Sequence, residues 1–361
     1  MDFENRYSII DRMFYRFAFA TISSQRALSD MEDRSNKDLL ETIDSSKPVF
    51  ITALPRAGTT LLLNLFAELP EFGFHTYQDV PYLLCPMLWS KYSGSFRRND
   101  APRERAHGDG IMVSSKSPEA FEEMIWKVFW KSQYKKDRIE LWENCQDDEF
   151  EEFFPQHMKK IIALRCGEDA ANGRYVSKNN FNVARIPGLT RLFPKSMLVI
   201  PFREPLQHAA SLLNQHQRFL ELHAADRFAK KYMEAIGHYD FGENLRPINF
   251  DNWLETQVHS DATTLNYWLE YWVMGYRYLL EQVSAQTHLL CYETLNKKPT
   301  ETLEKIADVL EIRERDKFCK QADTIHAGKS HTIEMDDLDQ DFVKQANELF
   351  GQLQAAAITS A

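Results

Sequence analysis

The chain has 361 residues, 43% of them hydrophobic, and a formal net charge of −10, with a pI near 5.6. That length and composition can bury a sizeable core, as one large α/β domain or two smaller ones. The acidic balance excludes a general basic footprint for nucleic acid, so each basic side chain must be judged by its position.

At the N-terminus, Ile10, Met13, Phe14 and Phe17 recur at helical spacing, with Asp11, Arg12 and Arg16 on the other side. This predicts an amphipathic helix that packs on the main domain or on a second subunit, which leaves a homodimer open. Charge breaks every apolar run of MDFENRYSIIDRMFYRFAF, so neither a signal peptide nor a membrane span is expected. The polar stretch Ser29 to Ser46 bridges to the first strand, and a boundary between residues 1–46 and 47–361 follows. Five cysteines (Cys85, Cys145, Cys166, Cys291, Cys319) lack C-x-x-C spacing, which fits free thiols in a reducing, cytoplasmic setting.

Pro48 to Leu69 reads PVFITALPRAGTTLLLNLFAEL. Val49, Phe50, Ile51 and Leu54 form a short buried strand between Pro48 and Pro55. Leu61, Leu62, Leu65, Phe66 and Leu69 then recur at helical spacing, so the period switches across PRAGTT. A strand, a small-residue turn and a helix N-terminus in that order aim unpaired N–H groups and a positive dipole end at one point. Such a point favours an anion, phosphate above all. The turn is not a Walker A loop, because Ala53 stands at its first glycine and Thr59 at its lysine.

Residues 90–116 are rich in Gly, Ser, Arg and Asp and read as a long surface loop. Arg174–Lys178 and Met197–Phe202 are strand candidates, and Pro205 opens a helix through Leu212 and Leu213. Leu265, Trp268, Leu269, Trp272, Val273, Tyr276 and Leu280 mark a long core-facing helix, Thr287–Cys291 a strand, and Leu303, Ile306, Ala307 and Leu310 a helix. The alternation predicts an α/β fold, a mostly parallel sheet flanked by helices. Ligands bind such sheets at the carboxyl ends of the strands, where Arg56, Lys178 and Arg203 fall. Ser211, about 9 Å along a helix that starts at Pro205, can share an anion with Arg203.

Pro55, Arg56, Ala57, Gly58, Thr59 and Thr60 resemble the phosphosulfate-binding loop of sulfotransferases, Pro-[Arg/Lys]-[Ser/Ala]-Gly-Thr-Thr. Arg203-Glu204-Pro205 with Ser211 resembles that family's signature for the 3′-phosphate of 3′-phosphoadenosine 5′-phosphosulfate (PAPS), about 150 residues after the first. Lys178 in YVSKNN and Tyr292-Glu293-Thr294-Leu295 also have counterparts, in the broad bacterial and tyrosylprotein- or carbohydrate-type branch. Asn179 and Asn180 depart from the Thr-Pro that often follows this lysine, and Glu204 replaces the commoner Asp. Gly328 and Lys329 in HAGKSH resemble a late donor-contacting loop. The resemblance covers residues 48 to 310 and implies a P-loop-like fold with PAPS as sulfuryl donor. It further implies transfer to a hydroxyl on a small molecule, glycan, lipid-like alcohol or peptide tyrosine.

Neutralising the departing phosphate oxygen falls to Arg56 and the N–H groups of residues 57–60, with Lys178 assisting. No metal is required by this logic, and His326 and His331 are too isolated to form a metal site. The proton acceptor stays open among Asp79, His107, Glu122 and Glu123. Asp79 also reads as a loop cap, His107 as an exposed loop histidine, and the two glutamates as helix-dipole partners. The rival functions are a nucleotide-dependent kinase with a degenerate phosphate loop and a non-catalytic nucleotide-binding relic.

Overall fold

The computed structural model describes residues 9–93, 102–104, 112–142, 146–326, 328 and 330–358. Five parallel strands form its sheet: β1 (Val49–Ile51), β2 (Phe72–Gly73), β3 (Arg174–Lys178), β4 (Met197–Phe202) and β5 (Thr287–Cys291). Their order is β2-β3-β1-β4-β5. The chain therefore leaves β1 at the centre and reverses direction of travel across the sheet there, the place where open α/β sheets take ligands.

Alternation along the strands explains the two-sided core. Val49, Ile51, Val176, Val199 and Leu290 face Leu62, Leu63, Leu65 and Phe66 of helix α3 (Thr59–Ala67), together with Leu303 and Ile306 of α8 (Pro299–Val309). Phe50, Tyr175, Leu198, Ile200, Phe202 and Leu289 face the opposite layer. That layer holds α5 (Asp148–Cys166), α6 (Pro205–Ala225) and α7 (Leu265–Glu281), and α9 (Gln340–Ala356) packs behind it. Helix α5 reaches the sheet edge because β2 ends in glycine: a Cβ on Gly73 would lie 2.7 Å from the Ile162 Cα.

The first residues are more helical than their polarity suggests. Helices α1 (Ile9–Ala20) and α2 (Ile22–Ser35) run almost end to end, so much of the expected bridge from Ser29 is helix. Phe14 packs on Tyr82 and Trp89, and Tyr15 on Tyr232, whereas Met13 and Phe17 are exposed. Lys160 of α5 is fully buried and meets Glu32 at 3.2 Å and Asp33 at 2.9 Å, which pins α2 to the sheet layer. Within the span read as a loop, Arg103–Glu104 pairs antiparallel with Met112–Val113. Helix α4 (Glu123–Phe129) then begins one residue after Glu122. No described helix is long and apolar enough to cross a membrane.

Candidate active site

Strand register builds the site. Ile51, the last residue of β1, pairs with Lys178 on one side and Val199 on the other. Phe202 pairs with Cys291, so Arg203 and Tyr292 leave neighbouring strands side by side. The Arg203 guanidinium lies 4.9 Å from the centre of the Tyr292 ring.

The turn after β1 is held in an unusual backbone conformation. Arg56 has φ +72° and Gly58 φ +100°, and Gly58 caps α3 with no side-chain acceptor of its own. Left-handed positions on either side of Ala57 shape a turn of the kind whose N–H groups can line an anion-binding concavity. Pro55 and Ala57 are buried, Thr59 is buried as the first residue of α3, and Thr60 is half-buried beside it. His208 fixes the turn from behind. Trp272 Nε1–H donates to His208 Nδ1 at 3.2 Å, which leaves Nε2–H to donate to the Pro55 carbonyl at 2.7 Å. Burial, with the charge of Arg203 beside it, lowers the pKa of this imidazole to about 3, so it stays neutral.

The two motifs meet. Arg56 Nε lies 3.4 Å from Ser211 Oγ, and Arg203 Nη1 donates to the Arg56 carbonyl at 3.3 Å. Glu204 does not pair with Arg203. Its carboxylate caps α6 by accepting from Leu206 N at 3.3 Å and Gln207 N at 2.7 Å, while its own N–H donates to Glu293 at 2.9 Å. Among the described residues the buried Arg203 Nε has no hydrogen-bond partner. A buried guanidinium N–H left open beside a hydroxyl and a second arginine is what a phosphate group would satisfy. Gly328 closes the far side, its N–H 3.3 Å from the Tyr292 hydroxyl. Lys329 and His107 lie outside the described residues.

Three candidate bases are committed elsewhere. Asp79 is buried, bound by Arg165 Nη2 at 2.5 and 2.6 Å and by Thr76 N at 2.7 Å. Glu122 accepts from Trp126 at 2.8 Å, Tyr175 at 2.9 Å and Asn182 at 3.1 Å. Glu123 is paired with Arg185 and also accepts from Asn179 at 2.8 Å and from Tyr134. These are buried network positions rather than exposed first-turn carboxylates, and none of the three faces the anion-binding turn with an unengaged oxygen.

The structure brings other groups to Lys178. Glu119 Oε1 is 3.7 Å from its ammonium and also takes the Ala120 N–H at 2.8 Å, while Tyr77 donates to Oε2 at 2.6 Å. His238 Nε2 stands 3.9 Å from the Asp240 carboxylate. Asn180 accepts from Thr59 Oγ1 at 3.5 Å. Burial pushes the Asp240 carboxyl up to about 7, against the lowering pull of Lys178 and Asn180. His238 is driven down to about 3 by burial, with Lys178 adding to the effect. Glu119, His208, Asn180 and Asp240 escaped sequence reasoning as site residues. Asn180 alone left a signal, as a departure from the family pattern. Among the described residues no group of three or more His, Cys, Asp or Glu side chains is arranged to hold a metal ion.

A mostly parallel sheet with this turn at its centre, and an Arg-x-Pro helix start beside it, defines an α/β group-transfer fold of the P-loop-like kind. The chain belongs to the sulfotransferase family, whose model matches residues 48–317. Solved structures similar to it include the sulfotransferase STF9 of Mycobacterium avium, at 13% identity over 90% of this chain and 80% of that one, with a TM-score of 0.48. The sulfotransferase STF1 of Mycobacterium tuberculosis H37Rv matches at 14% identity over 94% and 84%, with a TM-score of 0.44. The sulfotransferase domain of the Synechococcus PCC 7002 olefin synthase matches at 13% identity over 85% and 96%, with a TM-score of 0.37. No curated protein sequence matches the chain.

Proposed function

We propose that the chain is a PAPS-dependent sulfotransferase that moves the sulfuryl group to a hydroxyl. The observation that carries this reading is the convergence of Arg56, Arg203 and Ser211, with the buried Arg203 Nε open to an anion. In this role the turn of residues 55–60 and the start of α3 hold the 5′-phosphosulfate, and Arg203 with Ser211 holds the 3′-phosphate. Bound there, PAPS supplies an activated sulfuryl group on a good leaving phosphate. Arg56 and the loop N–H groups neutralise the charge that gathers on the bridging oxygen, and Lys178, beside the end of β1, adds a cation on the acceptor side. Gly328 and Lys329 complete the donor site from the C-terminal loop. The chemistry asks for no metal.

The same reading takes residues 47–361 as the catalytic domain and 1–46 as a helical segment docked on it. The four described cysteines, Cys85, Cys166, Cys291 and Cys319, are free, which agrees with a cytoplasmic enzyme. The acceptor is a small-molecule, glycan or peptide hydroxyl. Incubation with radiolabelled PAPS and a panel of alcohols, phenols and sugars tests the reading: a labelled sulfate ester supports it, and ATP turnover that depends on magnesium would replace it with a kinase.

A further inference from the structure

Building on the sulfotransferase reading, we propose that Glu293 is a positioning residue of the donor site, the group that fixes Arg203 in the orientation a 3′-phosphate requires. Strand register sets up the contact. Phe202 pairs with Cys291, so the next residues out are Arg203 and Tyr292, and then Glu204 and Glu293. Glu293 lies in the first turn of a short helix, Tyr292–Lys297, where an acid ordinarily answers the helix's own N–H groups. Here it reaches across to the exit of the neighbouring strand. Its Oε1 accepts the Glu204 N–H at 2.9 Å, and the Cys291 thiol donates to its Oε2 at 3.4 Å. Both oxygens are engaged, which suits a residue that holds backbone in place.

Fixing the Glu204 N–H fixes Arg203, because one planar peptide unit joins the two residues. The far end of the arginine is held as well. Its guanidinium lies 4.9 Å from the centre of the Tyr292 ring, and Nη1 donates to the Arg56 carbonyl at 3.3 Å. With backbone and guanidinium both held, the direction of the buried Nε–H is set, and among the described residues that group has no hydrogen-bond partner. A long side chain ordered before its ligand arrives gives up less freedom on binding. Charge sharpens the argument. Glu204 and Glu293 are two acids beside an anion site, and on charge alone both oppose a phosphate. Glu204 is turned into the cap of α6, accepting from Leu206 N at 3.3 Å and Gln207 N at 2.7 Å. Positioning and repulsion therefore give opposite signs for the loss of the Glu293 side chain: the first weakens phosphate binding, the second strengthens it.

The test titrates adenosine 3′,5′-bisphosphate and adenosine 5′-phosphate into wild type, Glu293→Ala, Glu293→Gln, Glu293→Asp and Arg203→Ala by calorimetry, with thermal melting as the check on folding. The two ligands differ only in the 3′-phosphate. Glu293→Ala is expected to lose about tenfold in bisphosphate affinity, the value of a hydrogen bond to a charged group, and to bind the 5′-phosphate as wild type does. Glu293→Gln keeps a carbonyl for the Glu204 N–H and should bind both ligands as wild type does. Glu293→Asp keeps the charge but is one methylene short, so its bisphosphate affinity should fall while the 5′-phosphate is unaffected. Adding Glu293→Ala to Arg203→Ala should cost nothing further, since the two residues act as one unit. The Gln and Asp variants carry the test if Glu293→Ala does not fold. Bisphosphate affinity that holds or rises in the Ala and Asp variants overturns the proposal, as does an equal loss for both ligands. A wild type that binds the two ligands alike, or neither, would instead sink the donor reading on which the proposal rests.

Discussion

A Cβ added to Gly58 would lie 2.9 Å from Cδ2 of Tyr292, so the turn of residues 55–60 and the residue that follows β5 are in direct contact. Tyr292 also stacks on Arg203 and accepts from Gly328 N–H, which makes it the common wall of the turn, the second motif and the C-terminal loop. Gly58→Ala therefore meets both a forbidden backbone angle and a collision. The variant should lose at least about tenfold in bisphosphate affinity and about 1–3 kcal/mol of stability. Calorimetry and urea unfolding read the two effects separately.

His208 fixes the Pro55 carbonyl with a hydrogen bond of 2.7 Å. His208→Ala removes that donor and leaves the carbonyl buried, at a cost of about 1–3 kcal/mol. Because the carbonyl belongs to the turn, bisphosphate affinity should fall as well, and His208→Gln, which keeps an N–H, should restore part of it. Unchanged affinity in His208→Ala would show that the turn keeps its shape unaided.

Lys160 is the buried counterion of Glu32 and Asp33. Burial already raises the pKa of Glu32, and Lys160 is the main influence opposing that rise. Lys160→Met strands two acids against an apolar layer, so a loss of about 3–5 kcal/mol is expected. Limited proteolysis should then cut first between α2 and β1. The triple change with Glu32→Gln and Asp33→Asn should recover much of the loss.

The pH dependence of stability follows from buried neutral histidines. His75, pushed down to about 4 chiefly by burial, contacts His157 at 2.8 Å between ring nitrogens, and His208 is pushed down to about 3. Both have folded values below the unfolded value of about 6.5, so their contribution is complete above that pH and is lost as pH falls toward 4. At pH 4.5 the two together cost about 5 kcal/mol, a large share of a typical domain's stability. Asp240 works in the opposite sense: its raised value favours the fold while it is protonated, and this support fades as pH rises from about 4 to 7. Urea midpoints should drop steeply below about pH 6. A flat profile down to pH 4.5 would contradict the neutral pairing of His75 and His157.

The sheet was legible in β4, an apolar run of six residues, and in the five-residue β3 and β5, whose central residues are apolar between polar ends. The two-residue β2 has no such pattern and exists because Gly73 admits the backbone of α5. The turn between β1 and α3 was legible because its signal is local, six residues in one stretch. The fate of the candidate bases was not, because burial and partners are properties of the fold. Asp79 looks available until Arg165, 86 positions away, is folded against it. The N-terminal stripe was half right in the same way, with Phe14 packed and Phe17 exposed on one short helix.

Calorimetric titration of adenosine 3′,5′-bisphosphate into wild type and Arg203→Ala, without divalent cations, tests the central claim most directly. The joint Arg56, Arg203 and Ser211 site predicts metal-independent binding to wild type and a loss of about 10- to 100-fold in the variant, the value of a charged hydrogen bond to phosphate. No binding to wild type, or equal affinity in both proteins, would contradict it.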